Sequence, residues 1–199
     1  MREALRHVLQ SNDRYAAEFG SEADLSAPPA RRLAVLTCMD ARLDPMRFAG
    51  LSLGDAHLIR NAGGRATDDA IRSLVISHKL LGSVDWLVIH HSKCGMQSFT
   101  NDVMADLLED SLETAKLTRN GWVNVSQKSG SGEGHFVNWF PISDPEKCVI
   151  QDVRRIREHP LVSSTVSIHG FIYDVQTGRL VEVEEASRIG RPTKPRRPA

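Results

Sequence analysis

The stretch that decides the fold runs from residue 33 to residue 42 and reads LAVLTCMDAR. Its first part is an apolar run that ends at Thr37, which predicts a strand buried on both faces. Three chemically active side chains follow at alternate positions, Cys38, Asp40 and Arg42. In open α/β sheets ligands bind beyond the carboxyl ends of the strands, so this segment predicts both a central strand and a site at its end.

A second stretch has the same organisation and reads WLVIHHSKCG from residue 86 to residue 95. Its apolar part predicts a strand from Trp86 to His90, and its polar part places His91 and Cys94 just past the strand. Consecutive strand residues point to opposite faces. Only one of the two histidines can therefore face the site. The H-x-x-C spacing to Cys94 selects His91, and we expect His90 to lie in the core or at an interface.

The rest of the chain alternates predicted helices and strands. Apolar spacing of three and four residues predicts helices, and short apolar or alternating runs predict strands. The predicted helices cover residues 2–19, 68–81, 99–117 and 145–159, and the further strands cover residues 56–59, 165–175 and 180–183. This order predicts an α/β fold with a mainly parallel β-sheet flanked by helices, and an antiparallel edge strand or hairpin near the C-terminus.

A length of 199 residues predicts a single domain, at roughly 150 residues per domain. We place this domain at residues 1–187, with an N-terminal helical arm over about 1–20. Residues 118–144 are rich in glycine, serine and asparagine, and are predicted to be an insertion that packs through its aromatic side chains. Residues 188–199 are basic and proline-rich, which predicts a disordered tail.

The composition excludes several classes of protein. A hydrophobic share of 41% supports a folded core, and 25 Lys and Arg residues balance 25 Asp and Glu residues. The absence of net charge argues against a nucleic-acid partner, and no apolar run reaches the roughly 18 residues of a membrane helix. A charged N-terminus and an odd number of cysteines predict a cytoplasmic protein whose thiols serve a metal or catalysis.

The two strand-end segments together predict a metal site, because the carboxyl ends of parallel strands meet at one edge of a sheet. Cys38, His91 and Cys94 supply two thiolates and one imidazole, a ligand set found in catalytic zinc sites that keep a fourth position open. Thiolates favour Zn²⁺ over magnesium or calcium, although cobalt or iron could occupy the same ligands.

Four further residues are candidates for roles beside the metal. Asp40 can ligate the metal or accept a proton from metal-bound water, and Arg42 can hold that carboxylate by charge-assisted hydrogen bonds. The alternative is an ordinary ion pair that stabilises a turn. Gly63 and Gly64 lack the pattern of a nucleotide-binding loop. We expect them to let the backbone approach the metal pocket and contribute to substrate binding.

Three motifs, in this order and at these spacings, resemble the β-class carbonic anhydrase family. They are Cys38-x-Asp40-x-Arg42, Arg60-Asn61-Ala62-Gly63-Gly64 and His91-x-x-Cys94-Gly95. The resemblance extends from about residue 33 to residue 102 and returns at residues 169–174. It implies a zinc site on Cys38, His91 and Cys94 with an Asp40–Arg42 dyad. It also implies a closed, inactive form in which Asp40 ligates the metal, and assembly into a homodimer or larger homo-oligomer.

The resemblance is to the short branch of the family, which includes carbonyl sulfide hydrolases as well as carbonic anhydrases. It implies a zinc enzyme whose metal-bound hydroxide attacks CO2 to give bicarbonate, or carbonyl sulfide to give hydrogen sulfide and CO2. Aromatic residues of the insertion could cover the mouth of the site and favour carbonyl sulfide, or could simply pack the insertion onto the domain. These residues are Trp122, Phe136, Trp139 and Phe140.

Two other classes of function explain part of the pattern. A non-catalytic, zinc-stabilised domain that binds a partner accounts for the three ligands but gives Asp40 and Arg42 no role. A thiol redox protein needs paired cysteines, and the sequence contains no Cys-x-x-Cys motif. The zinc-enzyme hypothesis gives a role to all five residues and is therefore the main prediction.

Overall fold

A five-stranded sheet runs through the centre of the computed structural model, which describes residues 2–193. In chain order the strands are β1 Leu33–Cys38, β2 Ala56–Asn61, β3 Asp85–His91, β4 Ala115–Thr118, β5 Gly121–Asn124, β6 Ser167–Tyr173 and β7 Leu180–Glu182. The sheet order is β2-β1-β3-β6-β7, and β4 and β5 form a separate antiparallel hairpin. All pairings in the large sheet are parallel except the last, between β6 and β7. The predicted fold class is confirmed.

Six helices, counted over residues 2–193, accompany the sheet. They are α1 Glu3–Ala17, α2 Pro45–Phe48, α3 Asp68–Lys79, α4 Asn101–Asp110, α5 Pro145–Glu158 and α6 Glu184–Ile189. Local sequence explains where they begin. The Thr67 side chain accepts a hydrogen bond from the Ala70 amide at the start of α3, and Asp144 caps α5 ahead of a proline at the first helical position. Within the described residues no helix combines the length and apolarity needed to cross a membrane.

The core lies between the sheet and its helices, and it fixes the strands that carry the candidate site. The β1 strand is buried from Ala34 to Cys38, as expected of a strand covered on both faces. The register pairs Thr37 of β1 with Ile89 of β3, and Cys38 with Asn61 of β2. The carboxyl ends of three neighbouring parallel strands therefore meet at one edge of the sheet.

The predicted helix over residues 99–117 is wrong in its second half. The α4 helix ends at Asp110, because Ser111 adopts an extended backbone conformation. Residues 115–124 then form the β4–β5 hairpin, in which Leu117 pairs with Trp122. The apolar spacing that suggested a longer helix arises from two separate elements, a short helix and one face of a hairpin.

The C-terminal segment is ordered further than predicted. The predicted start of the tail, residue 188, falls inside α6. Beyond the helix, the Gly190 carbonyl accepts from the Ile168 amide at 3.0 Å, and the Thr193 amide donates to the Ser164 carbonyl at 2.8 Å. The rest of the predicted tail, residues 194–199, lies outside the described residues.

Candidate metal centre

The three predicted metal ligands come together at the carboxyl edge of the sheet. Cys38 ends β1, His91 ends β3, and Cys94 precedes a 3-10 turn over Gly95–Gln97. Their side chains are buried, the two Sγ atoms are 4.0 Å apart, and the three potential ligand atoms all lie within 4.8 Å of one another. Residues distant in the sequence thus form one compact donor set.

The His91 ring presents an unpaired nitrogen to this donor set. Its Nδ1 lies 3.0 Å from the Ser92 carbonyl oxygen, which can only accept, so Nδ1 carries the proton. Its Nε2 is buried and has no hydrogen-bond partner among the described residues. An unpaired buried polar atom is costly, and a metal ion bound here would supply the missing partner.

Both cysteines are surrounded by donors that favour the thiolate form. Backbone amides of Asp40 and Gly63 donate to Cys38 Sγ, and the Met96 amide donates to Cys94 Sγ. The contact between the sulfurs lowers the pKa of Cys38 and raises the pKa of Cys94, because a hydrogen bond between them lets one sulfur ionise while the other keeps its proton. Two sulfurs and an imidazole nitrogen in this setting fit Zn²⁺.

Gly63 and Gly64 approach the ligands as expected. Both have positive φ, and a Cβ atom on Gly64 would lie 2.9 Å from the Cys38 backbone nitrogen. A Cβ atom on Gly63 would lie 3.1 Å from the Met96 side chain and 3.2 Å from Ile142. Only glycine allows the loop to pass this close to the Cys38 backbone. The contribution of Gly63 and Gly64 to substrate binding stays a prediction.

Asp40 and Arg42 form a two-point ion pair beside the donor set. Arg42 Nε donates to Oδ1 of Asp40 at 2.9 Å, and Nη2 donates to Oδ2 at 2.7 Å and to the Lys93 carbonyl at 2.9 Å. These bonds hold the pKa of the Asp40 carboxyl well below its usual range. Asp40 Oδ2 also lies 3.8 Å from His91 Nε2, so the carboxylate faces the candidate site while Arg42 orients it.

Arg60 fixes the loop between these residues, a role that sequence analysis missed. Its Nε donates to the Cys38 carbonyl at 3.0 Å, and its Nη2 donates to the Asp40 carbonyl at 2.7 Å. Its position in the Arg60-Asn61 motif at the end of β2 was the available signal.

His90 is buried in the core, as predicted from its place next to His91. Its Nε2 lies 3.0 Å from Oδ2 of Asp152 on α5, and the same carboxylate accepts from Arg65 Nε at 2.7 Å. Sequence analysis missed both Arg65 and Asp152. An acidic residue between Val149 and Val153, on the apolar face of α5, was the signal that a buried partner existed.

Comparison with known proteins identifies the family. The family model for carbonic anhydrases matches residues 33–180. The chain belongs to the β-carbonic anhydrase family. It is 40% identical over 177 residues to β-carbonic anhydrase 1 of Mycobacterium tuberculosis, a match that covers 88% of this chain and 94% of the relative. The resemblance stated from the motifs is therefore confirmed.

Two further proteins similar to this β-carbonic anhydrase family member carry different names, one a hydrolase and one a carbonic anhydrase. A carbon disulfide hydrolase of Acidithiobacillus thiooxidans is 33% identical over 184 residues, which cover 89% of each protein. The solved structure of a carbonic anhydrase from Glaciozyma antarctica matches with a TM-score of 0.75 and 37% identity, over 92% of this chain and 99% of that one.

A second group of potential ligands lies on the surface of this β-carbonic anhydrase family member. Asp106 and Glu109 of α4 and His135 of the insertion have ligand atoms within 4.8 Å of one another, and all three are exposed. His135 Nε2 lies 3.0 Å from a Glu109 oxygen, and this hydrogen bond raises the pKa of His135. Its ring nitrogen is already satisfied within the protein.

The aromatic residues of the insertion make contacts that favour packing over a lid. Trp122 Nε1 donates to the Ser98 carbonyl at 3.1 Å, and Trp139 Nε1 donates to the Gly134 carbonyl at 3.0 Å. Phe136 is 86% exposed, and Phe140 lies beneath the guanidinium groups of two arginines. The residue of the insertion that joins the buried cluster around Cys38 and Cys94 is Ile142.

Proposed function

We propose that this chain is a zinc-dependent carbonic anhydrase that hydrates CO2 to bicarbonate. The single observation that carries the proposal is the buried Cys38–His91–Cys94 set with its unpaired His91 Nε2. The similarity to β-carbonic anhydrase 1 of Mycobacterium tuberculosis supports the same activity. A non-catalytic zinc domain is less well supported, because it leaves the oriented Asp40 carboxylate beside the ligands without a role.

The residues that would hold zinc are Cys38 through Sγ, Cys94 through Sγ and His91 through Nε2. When bound, zinc supplies the Lewis acidity that lowers the pKa of water and makes a nucleophile available near neutral pH. Two thiolates formally cancel the charge of Zn²⁺, so this acidification is weaker than at a three-histidine site. A carboxylate that helps to remove the proton is therefore needed nearby.

Asp40 is the proposed proton acceptor. Its Oδ2 faces His91 Nε2 at 3.8 Å, and the Arg42 fork fixes the direction of the carboxylate. Because its pKa is lowered, Asp40 stays charged and passes a received proton on to solvent. Arg42 also keeps Asp40 off the ligand set, and release of this pair would let Asp40 become a fourth ligand in a closed form.

Apolar side chains next to the ligands would form the substrate pocket. Leu43 and Ile142 are buried in the same cluster as Cys38 and Cys94, and Met96 packs against it. We propose that the Gly63–Gly64 backbone completes this wall, because a Cβ atom on Gly63 would touch Met96 and Ile142 and one on Gly64 would touch Cys38. CO2 carries no net charge and suits such a surface.

Hydrolysis of a sulfur analogue is the second candidate function. The same nucleophile could convert carbonyl sulfide and water to CO2 and hydrogen sulfide, and a carbon disulfide hydrolase is among the relatives. Polarizable sulfur is well accommodated by apolar surface such as Met96 and Ile142. The two activities differ in substrate rather than in the residues that would carry them.

We also propose a homodimer or larger homo-oligomer. None of the residues of α1 is buried, and Leu5, Val8, Leu9 and Tyr15 are exposed on it. An isolated helix of this length is marginal in water unless its apolar face packs on something. A second copy of the chain is the proposed surface. Three free, buried cysteines fit the reducing cytoplasm as the proposed location.

The decisive test compares zinc-loaded wild type with the Asp40→Asn variant. Stopped-flow CO2 hydration should be fast in the wild type and lost in the variant, with one zinc per chain in both. Sulfide release from carbonyl sulfide in the same samples ranks the second activity. Bound zinc without either activity would contradict the proposed function and favour a binding domain.

A further inference from the structure

The segment from Phe140 to Ile142 is held in an unusual conformation, and its last residue packs in the buried cluster with Cys38 and Cys94. Phe140 has φ +51, although it is bulky and precedes a proline. Both features disfavour this backbone conformation, so surrounding contacts must hold it. Immediately afterwards Ile142 is 2% exposed, and its amide donates to the Met96 carbonyl at 2.9 Å.

Arg65 makes the contacts that hold this segment. Its Nη1 donates to the carbonyls of Phe140 and Pro141, both at 3.0 Å, and its Nε donates to Asp152 at 2.7 Å. Both members of the ion pair are buried, so the guanidinium has a fixed direction. The backbone of Arg65 is itself fixed, because its amide donates to Asn61 Oδ1 and its carbonyl accepts from Asn61 Nδ2, both at 2.8 Å.

The same short loop therefore connects Cys38 to the segment that carries Ile142. Gly63 donates its amide to Cys38 Sγ, and two residues later Arg65 holds the segment that ends in Ile142. The Ile142 Cδ1 atom lies 3.2 Å from the place where a Gly63 side chain would begin. Met96 and Ile142 both form the apolar wall at this point, and Arg65 holds the backbone next to Ile142.

We propose that Ile142 is a specificity-determining residue of the substrate pocket and that Arg65 is its positioning residue. The inference rests on the proposed function, since it concerns linear triatomic substrates of that site. Sulfur is larger than oxygen, so a shorter side chain at position 142 shifts the preference toward the sulfur-containing member of an oxygen and sulfur pair. Cores collapse only partly around a deleted group, so the space remains.

The test uses cyanate and thiocyanate, two linear triatomic anions that differ by oxygen and sulfur. Their dissociation constants are measured from the visible spectrum of the cobalt-substituted protein, for wild type, Ile142→Val and Ile142→Ala. The matched control is Ile156→Ala, which shortens an equally buried isoleucine in the main core. Ile142→Ala should change the thiocyanate-to-cyanate affinity ratio at least fivefold in favour of thiocyanate, and Ile142→Val should change it by a smaller factor. Ile156→Ala should change this ratio less than twofold.

A second pair of variants tests the positioning role. Arg65→Gln should shift the ratio in the same direction and speed hydrogen exchange of the Ile142 amide; Arg65→Lys, which keeps a charge for Asp152, should show a smaller effect. In a protein that already carries Ile142→Ala, Arg65→Gln should change the thiocyanate-to-cyanate affinity ratio by less than a further twofold. Additive effects would overturn the positioning role, and an unchanged ratio in Ile142→Ala would overturn the specificity role.

The outcomes separate this inference from the proposed function. CO2 hydration is measured on the zinc forms of the same proteins. Absent hydration with a shifted anion ratio would contradict the proposed function but keep Ile142 as a wall of the pocket. Normal CO2 hydration with an unchanged anion affinity ratio would support the proposed function and contradict the role of Ile142. Failure of the wild type to bind either anion would overturn the inference directly.

Discussion

Two clusters of potential ligands in this protein have similar spacing and opposite surroundings. The ligand atoms lie within 4.8 Å of one another both in the buried cluster of Cys38, His91 and Cys94 and in the surface cluster of Asp106, Glu109 and His135. In the buried cluster His91 Nε2 has no hydrogen-bond partner within residues 2–193, whereas in the surface cluster His135 Nε2 is paired with Glu109. Proximity of suitable side chains is common, and so is a single unpaired atom. The combination of a compact ligand set with an unpaired ring nitrogen held away from water is what favours a metal ion.

The origin of the two clusters explains this difference. Cys38 and His91 end strands that the core fixes, and Cys94 follows three residues after β3. Backbone amides point at the two sulfurs. Such outer contacts prevent the ligands from rotating away and stabilise the thiolate form. The surface cluster instead joins one helix face to a short turn, where each side chain is free to face water. We expect only the first cluster to bind zinc tightly.

The largest effect is expected from loss of a buried ligand. Cys94→Ala removes one of the three proposed ligands, so zinc affinity should fall by more than about 100-fold, beyond what loss of an outer contact causes. Metal analysis after dialysis measures the remaining zinc. A fully loaded Cys94→Ala protein would show that the metal is bound elsewhere.

A large effect on turnover, with zinc retained, is expected from Arg42→Ala. Loss of the two Arg42 hydrogen bonds frees the Asp40 carboxylate. The rate of CO2 hydration should fall about 100-fold, because the proton acceptor is no longer oriented. Arg42 lowers the pKa of Asp40, so this pKa should be higher in the variant. As the pH is lowered, the remaining activity of the variant should therefore disappear at a higher pH than that of the wild type. The pH–rate profile checks this shift; near-native rates would remove the orienting role.

A moderate effect on stability is expected from Gly64→Ala, which affects the backbone that supports Cys38. The new Cβ atom would lie 2.9 Å from the Cys38 nitrogen at a positive φ, and the free energy of unfolding should fall by about 3 kcal/mol. Gly82→Ala is the control, since its φ is also positive but no atom lies within 4 Å. It should cost about 1 kcal/mol. Equal costs in denaturant unfolding would mean that the close approach contributes nothing.

The smallest effect is expected at the surface cluster. His135→Ala should leave zinc content and CO2 hydration unchanged. The Glu109 contact raises the pKa of His135, so its contribution to stability is present below the pKa of the unfolded chain and is lost as pH rises. The melting temperature of His135→Ala should therefore be slightly below that of the wild type at pH 5 and equal to it at pH 9. A drop in bound zinc would place a metal at the surface cluster.

The strand ends and the ligand set were predictable because they depend on short stretches of sequence. An apolar run identifies a buried strand, and the residues just after it are fixed relative to the strand end. The parallel order then brings Cys38 and Cys94 together without further information. The chemistry of the Asp40 and Arg42 side chains already suggested their roles, and the resemblance to a known family added a closed form and assembly into an oligomer.

The parts that were missed depend on contacts between distant residues. Arg65 and Asp152 are 87 positions apart, and neither position alone shows that the other exists. Ile142 lies in a segment without regular periodicity, so only the folded chain shows that it packs beside Cys38 and Cys94. The end of α4 was also missed, because the spacing of apolar residues continues across Ser111 into a hairpin.

Zinc K-edge X-ray absorption of the wild-type protein tests the central claim most directly, since the two clusters offer different donor atoms. Binding at Cys38, His91 and Cys94 predicts two sulfur neighbours at about 2.3 Å and a nitrogen neighbour at about 2.0 Å. A first shell made only of nitrogen and oxygen atoms would place the metal at a site such as the surface cluster and contradict the account.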